Sequence, residues 1–372
     1  MKPWERMEEE LNDLQAKHFY RNTELFNSSK IFSSNDYLDL NHDERLKKSA
    51  IKTIKKFGTG TGGARLTTGN TIIHKELEST IAKFKQRESA LVFNTGYMAN
   101  IGTITALTKK GDVIYSDAFN HASIIDGCRL SEAEIVIYQH NDMKDLEAKI
   151  KEHSGKPGLI VSDGVFSMDG DIVKLPELVF LAKEYELLTM IDDAHATGVI
   201  GKTGKGTEEY YGMENSVDVL MGTLSKAIGA EGGFVCGNQL LIRYLTNKAR
   251  SFIFSTALPP ADMAAAQCGI EIIMNEPERI QKLQKNIRYF CNALNKNGIK
   301  TKSESAIIPI IIGDEAKALA IMAQLKKQDF YVSAIRYPTV PKGKARLRIT
   351  MKATHSFEEL DHLADALSVC LI

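Results

Sequence analysis

An α/β fold is predicted, with a large domain built on a mostly parallel seven-stranded sheet and a smaller carboxyl-terminal α+β domain. Three observations carry that expectation. From Ser89 onward, short β-rich runs alternate with helical patterns, the signature of a parallel sheet covered by helices. Chemically active residues fall in loops directly after those runs, where ligands collect in such sheets. Past Asn275 the texture shifts to long helices with isolated strands, and 372 residues exceed what one hydrophobic core organises.

Taken in order, residues 4–20 have helical spacing, with Leu11, Leu14 and Phe19 among charged neighbours, and belong to an amino-terminal arm over residues 1–45. The large domain is placed at residues 46–275. A basic helical segment at 45–57 leads to Gly58, Gly60 and Gly63, a literal Gly-x-Gly-x-x-Gly. A dinucleotide-binding turn needs a strand before it and a helix after it. Here a helix precedes and Ala64-Arg65-Leu66-Thr67-Thr68-Gly69 follows, so the segment reads as a flexible loop near the active site. Strands are expected at 90–93, 113–115, 135–138, 159–161, 188–191, 217–221 and 233–236, with helices between many of them, as at 143–153 and 176–185. The smaller domain, residues 276–372, holds a helix at 277–297, a strand at 307–312, another helix, a strand at 345–351 and a final helix. Its polar loop Ile335-Arg336-Tyr337-Pro338-Thr339-Val340-Pro341, with Arg346 and Arg348, is suited to closing over a site in the large domain.

Lys+Arg and Asp+Glu are 47 each, so no net positive field exists to gather nucleic acid or a membrane surface. Small molecules and protein subunits are the expected partners. The five cysteines are scattered and form no Cys-x-x-Cys pair, which fits free thiols in a reducing cytoplasm. The charged start Met1-Lys2-Pro3-Trp4-Glu5-Arg6 has no secretory apolar region, and the longest aliphatic run, residues 306–312, is too short to span a bilayer. A soluble cytoplasmic protein without metal is expected.

The most telling stretch is Gly222-Thr223-Leu224-Ser225-Lys226-Ala227, downstream of Ile191-Asp192-Asp193-Ala194-His195. An aldehyde cofactor with a basic ring nitrogen and a phosphate needs an amine, a carboxylate and hydroxyl or N–H donors. Lys226, Asp192 and Thr223 are those groups, and pyridoxal 5'-phosphate is the cofactor they suit. Asp193 and His195 beside Asp192 also permit a metal-ligand reading, although no second cluster completes such a site. His121 follows a strand, where an imidazole either stacks on a flat cofactor or caps a helix. Thr95-Gly96-Tyr97 opens a helix after a strand, and a helix start suits a phosphate.

With these residues in view, the chain from about Phe32 onward resembles the α-oxoamine synthases, fold-type I pyridoxal-phosphate enzymes that condense an amino acid with an acyl thioester and release carbon dioxide. The resemblance lies in Ser33-Ser34-Asn35-Asp36-Tyr37-Leu38, Gly62-Gly63-Ala64-Arg65, Asn120-His121-Ala122-Ser123, Asp163-Gly164-Val165-Phe166-Ser167-Met168-Asp169-Gly170, Asp192-Asp193-Ala194-His195, Thr223-Leu224-Ser225-Lys226 and Ser255-Thr256-Ala257-Leu258-Pro259-Pro260. The first and last of these look most like the branch that joins L-alanine to a pimeloyl thioester in biotin biosynthesis. Asn120 to Gly127 also resembles the branch that joins glycine to acetyl-CoA. The resemblance implies Lys226 as Schiff-base lysine and general base, Asp192 as partner of the ring nitrogen, and His121 as the ring stacked on the cofactor and a donor to the thioester carbonyl. It implies cofactor contacts by Ser167 and His195, phosphate-side positions for Gly96, Tyr97 and Thr223, and Thr256 reaching across from the second subunit of a homodimer. Arg348 would grip the amino-acid carboxylate, with Asn35, Thr339 and Arg21 on the substrate side. Whether coenzyme A or an acyl carrier protein delivers the acyl group stays open.

Overall fold

The parallel sheet and the α+β unit both form, in a computed structural model that describes residues 2–23, 25, 30–153 and 155–371. Two compact units are present. The larger comprises Asn35–Ser167 and Asp171–Gln284; the smaller comprises the described residues of Met1–Ser34, Met168–Gly170 and Lys285–Ile372.

In the larger unit seven strands make one sheet: β1 (Ser89–Phe93), β2 (Val113–Asp117), β3 (Glu134–Tyr138), β4 (Gly158–Asp163), β5 (Leu188–Asp192), β6 (Val219–Thr223) and β7 (Gly233–Gly237). Their order is β1-β7-β6-β5-β4-β2-β3. Only β7 opposes its neighbours, β1 and β6; every other pairing is parallel. The interior strands are apolar along nearly their whole length because helices cover both faces, and β2, β6 and β7 are buried throughout. Phe93, Ile104, Ile124, Val161, Met190, Met221, Val235 and Phe252 form one contiguous core. Gly222 sits opposite Phe234 in the β6–β7 register, and a Cβ there would lie 2.3 Å from the Phe234 ring. The glycine thus lets a full aromatic side chain fill the layer.

The edge strand β3 is mostly exposed, and its Glu134 pairs with Lys156 and His153. A charged edge discourages pairing with another chain. Helix ends follow local chemistry. Asp43 caps the helix Glu44–Phe57 by accepting from the Arg45 N–H, and Gly58, at φ 79°, ends it.

The expected arm helix is shorter than its apolar spacing suggests: it spans Pro3–Ala16, buries no side chain, and stops before His18, whose φ of 58° is left-handed. The glycine segment 58–63 follows a helix, as expected. It is tied down rather than free, because Thr61 Oγ1 donates to Ala257 O at 2.8 Å and Ala257 N donates to Gly63 O at 2.9 Å. In the smaller unit β8 (Ile307–Gly313), β9 (Ser333–Ile335) and β10 (Ala345–Thr350) form an antiparallel sheet ordered β9-β10-β8. The helix Glu315–Lys327 packs against this sheet and against the helix Phe357–Leu371.

A buried ion pair anchors the loop after β5. Lys85 Nζ lies 3.1 Å from Asp193 Oδ2 and 2.8 Å from Thr197 Oγ1, while Asp193 also accepts from Thr207. Both charged side chains are essentially inaccessible. Removing one partner strands the other in a low dielectric, which costs about 3–5 kcal/mol. Lys85→Met is therefore expected to lower the urea midpoint by that amount of stability, and a loss under about 1 kcal/mol would contradict the anchoring role.

Candidate active site

Because β1, β2, β4, β5 and β6 run in one direction, their carboxyl ends share an edge of the sheet, and the residues just beyond them line one cavity of about 180 Å³. Its walls include Thr95, Gly96, Tyr97, Asn100, His121, Ser123, Asp163, Asp192, His195, Thr223 and Lys226. Lys226 follows β6 in a loop that folds back on itself: Leu224 N donates to Gly232 O, Ala230 N to Leu224 O, and Gly229 N to Lys226 O. Thr223 Oγ1 holds the same turn through Gly232 O and lies 2.8 Å from Ser225 Oγ.

Asp192, the last residue of β5, is 4% exposed. Ala194 N donates to its Oδ1 at 2.8 Å and Asn100 Nδ2 to its Oδ2 at 2.7 Å. The β4–β5 register sets Asp163 directly beside it. Two carboxyl groups so close do not both ionise readily. Burial and Asp192 push the Asp163 carboxyl well above the usual carboxylate range, against the pull of Lys226.

His121 caps the helix Ala122–Leu130, its Nδ1 accepting from Ser123 N at 3.3 Å and lying 2.7 Å from Ser123 Oγ. Burial pushes its imidazole below the usual histidine range; Asp192 opposes that shift and Lys226 adds to it. Thr95 caps the helix Gly96–Leu107 by accepting from Met98 N, which puts Gly96 and Tyr97 at the helix start facing the cavity. A Cβ on Gly96 would crowd Met221 at 3.1 Å and Thr223 at 3.4 Å. His195 Nδ1 lies 2.7 Å from the Tyr37 hydroxyl, which donates to Asn35 Oδ1 at 3.1 Å.

The other expected site residues lie elsewhere. Ser167 is buried after β4 but is not in the cavity wall. Thr256 also lies outside it, bridging to Ala64 and accepting from Asn94 Nδ2 at 2.7 Å. Arg21, Thr339 and Arg348 belong to the smaller unit, where Arg21 Nη2 donates to Thr339 Oγ1 at 2.9 Å and Arg348 sits buried on β10. Among the described residues no group of three or more His, Cys, Asp or Glu is placed to hold a metal, and no helix is long and apolar enough to cross a membrane.

The aminotransferase class I and II pattern matches residues 31–367. An 8-amino-7-oxononanoate synthase of Lysinibacillus sphaericus is 52% identical, with 96% of this chain and 95% of that protein covered. The chain belongs to the aminotransferase class I and II family, in its α-oxoamine synthase group. Solved structures of the family agree. One of SPT with PLP superposes with a TM-score of 0.93 at 30% identity, covering 99% of this chain and 98% of that one. An 8-amino-7-oxononanoate synthase from Francisella tularensis superposes at 0.80 with 29% identity, covering 91% and 97%.

Sequence reasoning missed Asn100, Ser123 and Asp163 as individual wall residues. Asp163 had a usable signal, a carboxylate ending an apolar strand just as Asp192 does. Asn100 had none, since it sits within an apolar helix.

His140 ties the end of β2 to the segment after β4. Its Nδ1 lies 3.0 Å from Asp117 Oδ1 and its Nε2 2.9 Å from Asp171 Oδ2, with Phe119 stacked on one face and Phe166 against its edge. Burial alone would lower its pKa, but the bonds to Asp117 and Asp171 outweigh it and raise the group to about 9. A raised histidine stabilises the fold fully below its unfolded value of 6.5 and loses that contribution as pH rises through about 9. The melting-temperature difference between the native protein and His140→Gln should accordingly be constant below that window and shrink across it; a difference that grows with pH would refute the clamp.

Proposed function

We propose that the protein binds pyridoxal 5'-phosphate in the β-strand-end cavity and condenses L-alanine with a pimeloyl thioester, releasing carbon dioxide and 8-amino-7-oxononanoate for biotin biosynthesis. The observation that carries this reading is the near full-length similarity to the Lysinibacillus sphaericus synthase. The cavity fits the cofactor. It presents an amine from Lys226, a buried carboxylate from Asp192 and the start of a twelve-residue helix, whose first N–H groups lack partners inside a helix. Gly96 keeps that helix start clear of side chain.

When bound, the cofactor supplies an aldehyde that captures amines and a pyridine ring that accepts an electron pair. In this reading Lys226 Nζ would hold the cofactor and, as a free amine, would take the α-proton of the amino acid as general base. Asp192 pairs with the ring nitrogen and keeps it protonated. His121 covers the ring and donates a hydrogen bond toward the thioester carbonyl, where negative charge develops. Thr223, Gly96 and Tyr97 hold the phosphate, and Ser167 and His195 serve the ring's oxygen side. Arg348 takes the amino-acid carboxylate, with Asn35, Arg21 and Thr339 on the substrate side. A cytoplasmic homodimer completes the proposal, with Thr256 given to the second subunit's site.

The test is a substrate panel read by mass spectrometry: L-alanine with pimeloyl-CoA or the pimeloyl carrier protein, glycine with acetyl-CoA, and L-serine with a long-chain acyl-CoA. The expected product is 8-amino-7-oxononanoate, lost by a factor of about 10³ or more in Lys226→Ala. Preference for glycine and acetyl-CoA, or full activity of Lys226→Ala, would sink the reading.

A further inference from the structure

A run of hydrogen bonds joins Asp192 to His121 through two residues that no site assignment above uses. Asn100 Nδ2 lies 2.7 Å from Asp192 Oδ2 and 2.8 Å from Ser123 Oγ, and Ser123 Oγ lies 2.7 Å from His121 Nδ1. We propose that Asn100 and Ser123 are positioning residues that transmit the polarity of Asp192 to His121 and fix its hydrogen on Nε2. The proposal deepens the reading of this cavity as the reaction site.

The direction of the chain follows from donor capacity. A carboxylate only accepts, so it turns the NH2 of Asn100, and not its oxygen, toward itself. The second hydrogen of that NH2 points to Ser123 Oγ, which therefore accepts. A serine hydroxyl has one hydrogen of its own, and His121 Nδ1 is the acceptor at hydrogen-bond distance. Nδ1 also receives the Ser123 backbone N–H. A ring nitrogen that accepts two hydrogen bonds is unprotonated, so a neutral imidazole carries its hydrogen on Nε2. The opposite tautomer would set Nδ1–H against the Ser123 N–H. Burial, which favours the neutral ring, acts in the same direction.

Asn100 is a poor choice for packing alone. It is 1% exposed within an apolar helix, and its Oδ1 has no hydrogen-bond partner among the described residues. An unpaired buried amide oxygen costs stability that an aliphatic residue would avoid. Capping the helix Ala122–Leu130 needs only the bond from Ser123 N to His121, and so does not account for Asn100. The amide does what an aliphatic side chain cannot: with one N–H held by Asp192, it turns the other to Ser123 Oγ and so fixes that hydroxyl as an acceptor there. The outcome is an Nε2–H group on His121, the form required of a neutral donor toward a developing oxyanion.

The test is side-chain nitrogen NMR of the full-length protein carrying ¹⁵N-histidine, with and without added pyridoxal phosphate, the His121 signals being assigned by their loss in His121→Gln. The native protein should show an unprotonated-type Nδ1 and a protonated-type Nε2. Ser123→Ala and Asn100→Ala should move His121 toward mixed tautomers, and Ser123→Thr, which keeps the hydroxyl, should restore the native pattern. In the condensation assay Ser123→Ala should lower kcat about tenfold, with KM for L-alanine changed less than about twofold, and Ser123→Thr should recover it. Should Asn100→Ala fail to fold, the Ser123 pair decides alone. An Nδ1-protonated ring in the native protein, or a pattern unchanged in Ser123→Ala, would overturn the proposal. Since the NMR reading needs no turnover, it stands apart from failure of the substrate assignment.

Discussion

A carboxylate with 4% exposure has to be solvated by protein, and the polar wall of the cavity is arranged around that need of Asp192. Water is replaced by the Ala194 N–H and the Asn100 amide, while the neighbouring Asp163 carboxyl is held above its usual range by burial and by Asp192. The parallel register of β4 and β5 creates the requirement, since it puts two acids side by side at the same sheet edge. The adjacent Asp193 faces away into a separate pairing with Lys85 and Thr207, so consecutive aspartates have unrelated surroundings and unrelated work.

Convergence comes from topology rather than from sequence neighbourhood. Parallel strands bring loops separated by tens of residues to one edge, so Asn100 meets Asp192 across 92 positions. The antiparallel strand β7 lies between β6 and β1, and its start at Gly233 approaches the Thr95 backbone so closely that a Cβ would lie 2.5 Å from Thr95 O. That contact seats the helix start beside the Thr223 turn, joining the amine side of the cavity to its anion side.

The sheet was legible because buried parallel strands write themselves as short apolar runs between turn signals, and all seven runs became strands. Lys226, Asp192 and His121 were legible because each lies at a strand end or helix start among unusual neighbours. Asn100 was not, since one amide in the apolar helix Gly96–Leu107 gives no periodic signal and acquires meaning only from a partner on another strand. The arm helix was overextended because apolar spacing continued to Phe19, while the backbone turns at His18. The glycine segment read as loose because its ties come from residues near 257, almost two hundred positions away.

The central claim is that these strand ends make one amine, Lys226, the covalent seat of pyridoxal phosphate. Borohydride reduction of the protein mixed with the cofactor, followed by peptide mass mapping, tests it directly. The account predicts a single pyridoxyl adduct on the peptide containing Lys226; adducts scattered over surface lysines, or none, would contradict it.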